Sequence, residues 1–190
     1  MVREEWPEKD ELVVCTVKEL KPFGVFVTLE EYGGKEGLIN IGEVSSGWVK
    51  HLKDYVREGQ KVVCKVLHVD ERRGHIDLSL KVVKEGQKRE KIKEWKNEQR
   101  AKKWLILAFA APSSKIKLSE GERGELEFTL LDAYGSLYDA FEDVVRVGKK
   151  ALIELGIKEE YADALSEVAR AHVKLPSVQI TGYVELRCPV

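Results

Sequence analysis

The feature that most constrains the fold is a stretch of alternating apolar and polar residues between Leu12 and Leu80. Period-two alternation interrupted by turn signals is typical of short antiparallel strands, because successive side chains of a strand point to opposite faces. About five such strands fit this stretch, which favours a small closed barrel of the OB type. The alternation is clearest at Val13, Cys15, Val17, Val62, Cys64 and Val66.

Two interruptions break this pattern. Gly24 lies between two phenylalanines and predicts a tight bend or a bulge, since glycine tolerates backbone angles that other residues resist. The stretch 42–52 is longer than a hairpin turn and mixes small polar residues with one tryptophan, which is typical of loops that carry contacts. Val49, Leu52 and Val56 recur at helical spacing and predict a short helix there.

Several blocks of the stretch occur in the order and spacing of the S1 RNA-binding domain, which it resembles. This resemblance implies an OB barrel that binds RNA. The matching blocks are Phe23–Val27, Gly37–Ile39, Val69–Asp70 and Gly74–Leu80.

Charge is distributed unevenly along a chain whose formal net charge is only −1. Residues 81–104 hold ten Lys or Arg against four Glu, whereas residues 120–143 hold eight acidic residues against Arg123 alone. The total charge gives nucleic acid no general attraction, so the basic segment matters more for partners. Lys and Glu are abundant within a 34% charged content, which is typical of some heat-adapted proteins or of a well-solvated surface.

The cysteines Cys15, Cys64 and Cys188 include no C-x-x-C pair, which argues against a zinc site and a secreted disulfide framework. We expect Cys15 and Cys64 to be small buried apolar residues, with a disulfide between them as the alternative. No cofactor is predicted. The N-terminus has no apolar leader and no apolar run approaches the ~20 residues of a membrane span, so we expect a cytoplasmic protein.

After residue 84 the composition changes to that of a helix. An apolar stripe at 3.6-residue spacing predicts one amphipathic helix that enters a second domain and ends at 111–114. Residues 113–133 are compatible with either helix or strand. The stripe consists of Ile92, Trp95, Trp104, Leu105 and Ala108.

The segment after Tyr134 has sharper helix signals. Ser136 is a predicted N-cap, with Asp139 completing a capping box. Apolar residues across 137–155 predict a single helix with one buried face, on which Gly148 would allow close approach of another helix. Gly156 is expected to end it.

A further helix is predicted over 158–172, and Pro176 ends the helical part. Val178–Leu186 then alternates as a strand without an obvious partner. Because a lone strand is marginal in water, we expect the chain to be a fragment of a parent with a third domain.

The S1-like stretch, the basic helix and the segment after it together resemble the α subunit of archaeal or eukaryotic translation initiation factor two. The resemblance implies a β + α multidomain chain. Its parts are a five-stranded OB-fold S1 β-barrel at 1–84, an α-helical domain at 85–174, and the first strand of a truncated α/β domain at 175–190. The supporting segments are Glu30–Gly34, Gly42–Val49, Trp95–Arg100 and Tyr134–Gly156.

This resemblance implies a non-catalytic subunit of a heterotrimer that delivers initiator methionyl-tRNA to the small ribosomal subunit and mRNA. A γ subunit, held mainly by the third domain, would supply GTP chemistry, and a β subunit would complete the complex. The sequence contains no phosphate loop, H-E-x-x-H or G-x-S-x-G motif, so no enzyme is predicted. Two alternatives are an accessory S1 protein of an RNA-degrading or transcription complex and a protein-docking module.

The resemblance also implies RNA-binding residues on the barrel. Phe23 and Phe26 match positions on which S1 domains stack bases, the alternative being that one ring is barrel core. Asn40 and His75 match positions that often carry His and Arg. In the adjoining turn, Arg72 and Arg73 are candidates for phosphate contacts, the alternative being turn residues that only favour solubility. The predicted barrel set is Phe23, Phe26, Asn40, Asp70, Arg72, Arg73 and His75.

Two further sites are predicted outside the barrel strands. Ser45 matches the serine whose phosphorylation regulates nucleotide exchange in the eukaryotic subunit, although Ser46, Gly47 and Trp48 follow it here instead of arginines. The basic helix across 88–103 would lie along tRNA or ribosomal RNA, or else present a solvated face. Its predicted contacts are Lys88, Arg89, Lys96 and Arg100.

Overall fold

The computed structural model describes residues 6–110 and 118–173, in two compact units that divide between Arg100 and Ala101. We call residues 1–100 the barrel unit and the remainder the helical unit. The strands of the barrel unit are β1 (Leu12–Lys21), β2 (Gly24–Leu29), β3 (Glu36–Asn40), β4 (Lys61–Asp70) and β5 (His75–Ser79).

These strands close into a barrel in the order β1-β2-β3-β5-β4, and the β3–β5 pair is parallel while the other pairs are antiparallel. Alternate side chains point inward, as the period-two pattern requires. The predicted five-stranded barrel is therefore confirmed. Its core contains Val13, Cys15, Val17, Val25, Val27, Leu29, Ile39, Val62, Cys64, Val66, Ile76 and Leu78.

Gly24 begins β2 in regular register with β3, so the bulge expected at this residue is wrong. A tight two-residue turn at 22–23 does precede it, and the bulge lies on β1 between Val17 and Glu19. Gly24 instead provides room for a close approach of the backbone. A Cβ atom there would lie 2.5 Å from the carbonyl oxygen of Ile39.

Helix α1 spans Glu85–Ala110 and corresponds to the predicted basic helix. The residues of its apolar stripe pack in two different hydrophobic clusters. Ile92 and Trp95 pack against Val14 and Val63 on the outside of the barrel. The first half of α1 therefore belongs to the barrel unit, and the compact units divide after Arg100 instead of at the predicted boundary after residue 84. The remaining members of the stripe, Trp104, Leu105 and Ala108, pack in the helical unit.

The part of 113–133 that the structure describes is helical. Helix α2 begins after Ser119, whose hydroxyl accepts a hydrogen bond from the Glu122 N–H at 3.3 Å. The Glu122 carboxylate accepts from the Ser119 N–H at 3.0 Å, completing a capping box. The helices of this unit are α2 (Glu120–Tyr134), α3 (Leu137–Val147), α4 (Lys150–Glu154) and α5 (Glu159–His172).

The single helix predicted across 137–155 is wrong, because α3 and α4 are separated at Gly148. This glycine has φ 93° and ψ −173°, which ends α3. A Cβ at Gly148 would meet no atom of the described residues within 4 Å, so the glycine serves the backbone and not a helix contact. Ser136 is the predicted N-cap of α3, and α5 matches the helix predicted at 158–172.

Two single 3-10 turns, Ile41–Glu43 and Leu52–Asp54, lie at the ends of the 42–52 loop, and the second lies within the short helix predicted from Val49, Leu52 and Val56. Cys15 and Cys64 are buried and free, and the hydrogen bond between their thiols, together with burial, raises the pKa of Cys15 well above its ordinary value. Cys188, the strand predicted at 178–186 and the helix end at 111–114 lie outside the described residues.

Within residues 6–110 and 118–173, no helix is long and apolar enough to cross a membrane. No group of three or more His, Cys, Asp or Glu side chains in these ranges could hold a metal ion.

Candidate nucleic-acid interface

Two phenylalanine rings lie on the outside of the barrel at the start of β2. Phe23 occupies the β1–β2 turn and is 53% exposed. Phe26 is half-buried and points outward, because its neighbours Val25 and Val27 fill the core. The ring centroids are 6.1 Å apart in an edge-to-face arrangement. Neither ring belongs to the barrel core, so both are available to stack on a flat partner.

Strand β3 extends this aromatic end. Gly24 pairs with Asn40 and Phe26 pairs with Leu38, so these side-chain positions share the outer face. A Cβ on Gly24 would lie 3.2 Å from the Leu38 Cδ1 atom, because the leucine covers the space that the glycine leaves open. Asn40 is exposed at the end of β3. The sequence indicated Asn40 but not Leu38, whose outward direction depends on register.

A second group of predicted residues lies in the β4–β5 turn. The Asp70 Oδ1 atom accepts a hydrogen bond from the Arg73 N–H at 3.1 Å, and Asp70 Oδ2 lies 3.7 Å from Arg73 Nε. The Asp70 carboxylate therefore stabilises the turn. Arg72, Arg73 and His75 are exposed and remain accessible to a ligand.

The two groups lie at opposite ends of one surface. Because β3 and β5 are parallel with Leu38 beside Asp77, His75 lies two residues before this pair and Asn40 two residues after it. Four residues of strand correspond to about 13 Å. The predicted residues therefore form two clusters at the ends of an outer face on β2, β3 and β5, which we call the aromatic face.

The aromatic face has little net positive charge. Asp77 lies at its centre, and Glu36 of β3 forms an ion pair with Lys18 of β1, across the intervening strand β2. The hydrogen bond to Glu36 and the charge of Glu36 raise the pKa of Lys18, so the charge of this lysine is already paired. The face is consequently better suited to stacking bases than to collecting phosphates.

Ser45 lies in the loop between β3 and β4, and its hydroxyl accepts a hydrogen bond from the Gly47 N–H at 3.3 Å. Buried Val44 and Val49 anchor the two sides of this loop on the barrel core. Between them, Trp48 is 89% exposed. The sequence places this ring in a loop without marking it as a site, because one tryptophan does not reveal its own direction.

The predicted contacts on α1 differ in availability. Lys88 forms an ion pair with Glu85 at 2.7 Å, and the hydrogen bond from Lys88 lowers the pKa of Glu85. Arg89, Lys96 and Arg100 are exposed. Three of the four predicted cations are therefore free for a ligand within the described part of the chain.

The geometry defines a class of protein, namely nucleic-acid-binding OB-fold proteins of the S1 type with an attached helical unit. Two family models agree with this class. The S1 RNA binding domain matches residues 7–81, and the eukaryotic translation initiation factor 2 alpha subunit matches residues 124–190.

Relatives then identify the particular family. The chain is 48% identical over 185 residues to translation initiation factor 2 subunit alpha of Methanothermobacter thermautotrophicus, covering 97% of this chain and 70% of that protein. It is 50% identical over 184 residues to the subunit of Haloarcula marismortui, covering 97% and 67%. The chain belongs to the family of translation initiation factor 2 alpha subunits, which confirms the resemblance seen in its sequence.

Solved structures support the same assignment. The intact alpha subunit of aIF2 from Pyrococcus abyssi has a TM-score of 0.82 and 41% identity, with 92% of this chain and 65% of that chain covered. The a/eIF2alpha–aDim2p–rRNA complex from Pyrococcus horikoshii OT3 matches with a TM-score of 0.78 and 41% identity, covering 90% of this chain and all of that chain. The predicted fold, a barrel followed by helices, is thus shared with relatives of known structure.

Proposed function

We propose that this chain is the non-catalytic alpha subunit of a heterotrimer that delivers initiator methionyl-tRNA to the small ribosomal subunit. A GTP-binding gamma subunit and a beta subunit complete the factor, and the alpha subunit contacts tRNA, ribosomal RNA or mRNA in the cytoplasm. Family membership supports this assignment. The observation that carries the RNA contact is the exposed pair of rings on the barrel, Phe23 and Phe26.

The barrel contacts unpaired RNA through these rings. Stacking contributes about 1–3 kcal/mol per base and tolerates any base, because every base has a flat face. Asn40 adds a hydrogen-bonding group at the aromatic end, and Arg72, Arg73 and His75 add donors at the far end of the same face. The Asp70 carboxylate holds that turn in shape.

A binding experiment tests the RNA contact. Phe23→Ala combined with Phe26→Ala is expected to weaken binding of a fluorescent unstructured RNA at least tenfold in anisotropy titrations. Phe128→Ala is the matched control, because Phe128 is an equally exposed phenylalanine on α2, at 58%. Equal affinities of the double variant and the control would exclude the barrel rings as an RNA site.

A second experiment tests the assembly. Affinity purification of the protein from native lysate is expected to recover a GTP-binding subunit, a second subunit and one dominant initiator tRNA. Recovery of nucleases with mixed RNA fragments would instead support an accessory S1 protein of an RNA-degrading complex.

We also propose Ser45 as a regulatory phosphorylation site. A phosphate would add about −2 charge units next to an exposed tryptophan in an accessible loop. Intact-mass analysis of protein purified from its native cell, with and without phosphatase, tests this site. Absence of a phosphorylated form under all growth conditions would remove it.

A further inference from the structure

Four basic residues form a row along α1. Arg89, Lys93, Lys96 and Arg100 follow one another at spacings of four, three and four residues, which places them on one face of a helix with 3.6 residues per turn. All four side chains are exposed, and none is ion-paired within residues 6–110 or 118–173. At 1.5 Å per residue the row is about 16 Å long. We call these four residues the basic row.

The barrel fixes the direction in which the basic row points. Ile92 and Trp95 lie about 70° and 130° around α1 from the middle of the basic row, and they pack against the outside of β1 and β4. Lys91, directly before Ile92 and one turn before Trp95, forms a 3.1 Å ion pair with Glu31 of the β2–β3 loop. These contacts hold the first half of α1 in one rotation about its axis, which leaves the basic row on the exposed side of the helix, beside the barrel contact.

The chemistry of the row suits phosphates and not bases. Trp95 is the one aromatic residue between 85 and 100, and its ring packs toward the barrel, where Lys61 Nζ lies 4.6 Å from its centroid. Within residues 85–100, therefore, no aromatic ring lies on the side of the row, and the next ring along that side is the half-buried Trp104 of the helical unit. Glu94 comes one position after Lys93 and is turned about 100° away from it, whereas Glu90 is about 60° from Lys93. Glu85, four residues before Arg89, attracts Arg89 and is ion-paired with Lys88. Four free cations in a line recognise a regular array of negative charges.

The basic row and the aromatic face are separate surfaces of the barrel unit. Helix α1 covers β1 and β4, whereas the aromatic face is built on β2, β3 and β5. In the closed order β1-β2-β3-β5-β4, strand β3 lies opposite the β1–β4 seam. One short segment of RNA cannot occupy both surfaces.

We infer that the basic row binds the phosphate backbone of a base-paired RNA segment, distinct from the unpaired segment bound at the aromatic face. This inference rests on the proposed function, because both surfaces are assigned to RNA. A duplex presents its phosphates at regular intervals on a stiff surface and hides its bases, which matches a rigid row of cations without stacking groups. A flexible single strand requires the stacking platform that the row lacks. Lys93 is assigned to this site together with its three neighbours.

The test compares two RNA probes and three charge variants of the full chain. The probes are a perfectly paired hairpin and an unstructured oligouridine of equal length, titrated at several salt concentrations. The first variant replaces all four residues of the row by glutamine, and the second exchanges Arg and Lys so that every charge is kept. The matched control removes the same number of cations from the helical unit, namely Arg123, Arg146, Lys150 and Arg170, each replaced by glutamine. Circular dichroism checks that each variant is folded.

The glutamine variant of the row is expected to lose about three to four units of slope in a plot of log affinity against log salt for the hairpin, about one unit per contact. Its affinity for oligouridine should change less than twofold, and the charge-keeping exchange should bind both probes like the wild type. The double variant Lys93→Gln with Lys96→Gln, which leaves the ends of α1 intact, should lose about half of that slope.

Two outcomes overturn the inference. One is equal loss for both probes or for the helical-unit control, which means non-specific attraction. The other is unchanged hairpin binding with loss of a copurifying protein subunit, which makes the row a protein-docking surface. The Phe23→Ala, Phe26→Ala variant separates this inference from the proposed function, because it removes oligouridine binding only if the aromatic face is an RNA site, whatever the hairpin result.

Discussion

Lys91 of α1 and Glu31 of the β2–β3 loop join the helix to the barrel through an ion pair of 3.1 Å. Both side chains are about three-quarters buried, with 21% and 26% of their surface exposed. The second oxygen of Glu31 accepts a hydrogen bond from the Val14 N–H at 3.1 Å. One carboxylate thus accepts a hydrogen bond from the backbone of β1 and also pairs with a lysine of α1.

We expect Glu31→Ala to destabilise the protein by about 1–3 kcal/mol, because it leaves a largely buried ammonium and a backbone N–H without their acceptor. Urea unfolding followed by tryptophan fluorescence measures this loss, since Trp95 of α1 packs against Val14 of β1. Glu36→Ala is the control. Its ion pair with Lys18 is exposed to solvent and should contribute much less to stability than the contacts of Glu31. Equal effects of the two substitutions would contradict a joining role for Glu31.

The second prediction concerns the glycine at the start of β2. Gly24→Ala should destabilise the barrel by about 1–3 kcal/mol, because its Cβ would lie 2.5 Å from the Ile39 carbonyl oxygen and strand β3 would have to move. It should also disturb the aromatic face, since Leu38 packs over the same space. Gly86→Ala, in the first turns of α1 with open space around it, should be neutral or stabilising. Thermal unfolding distinguishes the two, and similar melting temperatures would contradict the steric argument.

The barrel could be predicted from the sequence because its core residues alternate, and alternation is a local pattern. The packing of α1 on the barrel could not be predicted from alternation, although the sequence contains a signal for it. Val13 and Val14 are both buried, one in the core and one under α1, as are Val62 and Val63. Continuous apolar residues in a strand indicate that both faces are covered. Alternation predicts the valines that face the core, Val13 and Val62, but not Val14 and Val63, which face α1.

The candidate site was predicted by residue type but not by arrangement. Phe23, Phe26 and Asn40 come together because β2 pairs with β3 in a particular register, and register depends on distant parts of the chain. His75 lies at the other end of the face for the same reason, through the parallel pairing of β3 with β5. The ambiguous region after residue 113 contained a usable local signal in Ser119 and Glu122, a capping box that apolar spacing alone does not reveal.

The third prediction is a pH dependence. A hydrogen bond from the Thr16 hydroxyl and a second from Lys61 Nζ, at 2.9 Å, lower the pKa of Glu30 below its ordinary value. A carboxylate with a lowered folded-state pKa stabilises the fold above the ordinary pKa of about 4.3. This contribution is lost as the pH falls through the lower folded-state pKa. Stability should therefore fall with acid more steeply in the wild type than in Glu30→Gln.

Urea unfolding between pH 3 and pH 7 measures this difference. Glu71→Gln, in the exposed β4–β5 turn, is the control and should follow the wild-type curve. Parallel curves for wild type and Glu30→Gln would show that the Thr16 and Lys61 contacts do not favour the charged carboxylate in solution.

The fourth prediction tests the break between α3 and α4. Gly148 has φ 93° and ψ −173°, a region open essentially only to glycine, and no described atom lies within 4 Å of the position that an alanine methyl group would occupy there. Gly148→Ala should therefore cost about 1–3 kcal/mol through backbone strain alone. Gly124→Ala, inside α2 and equally uncrowded, should instead stabilise by about 0.5–1 kcal/mol, because alanine favours the helix. Chemical unfolding followed by circular dichroism should give opposite signs for the two substitutions. A stabilising Gly148→Ala would mean that α3 and α4 form one continuous helix, as the apolar spacing across 137–155 predicts.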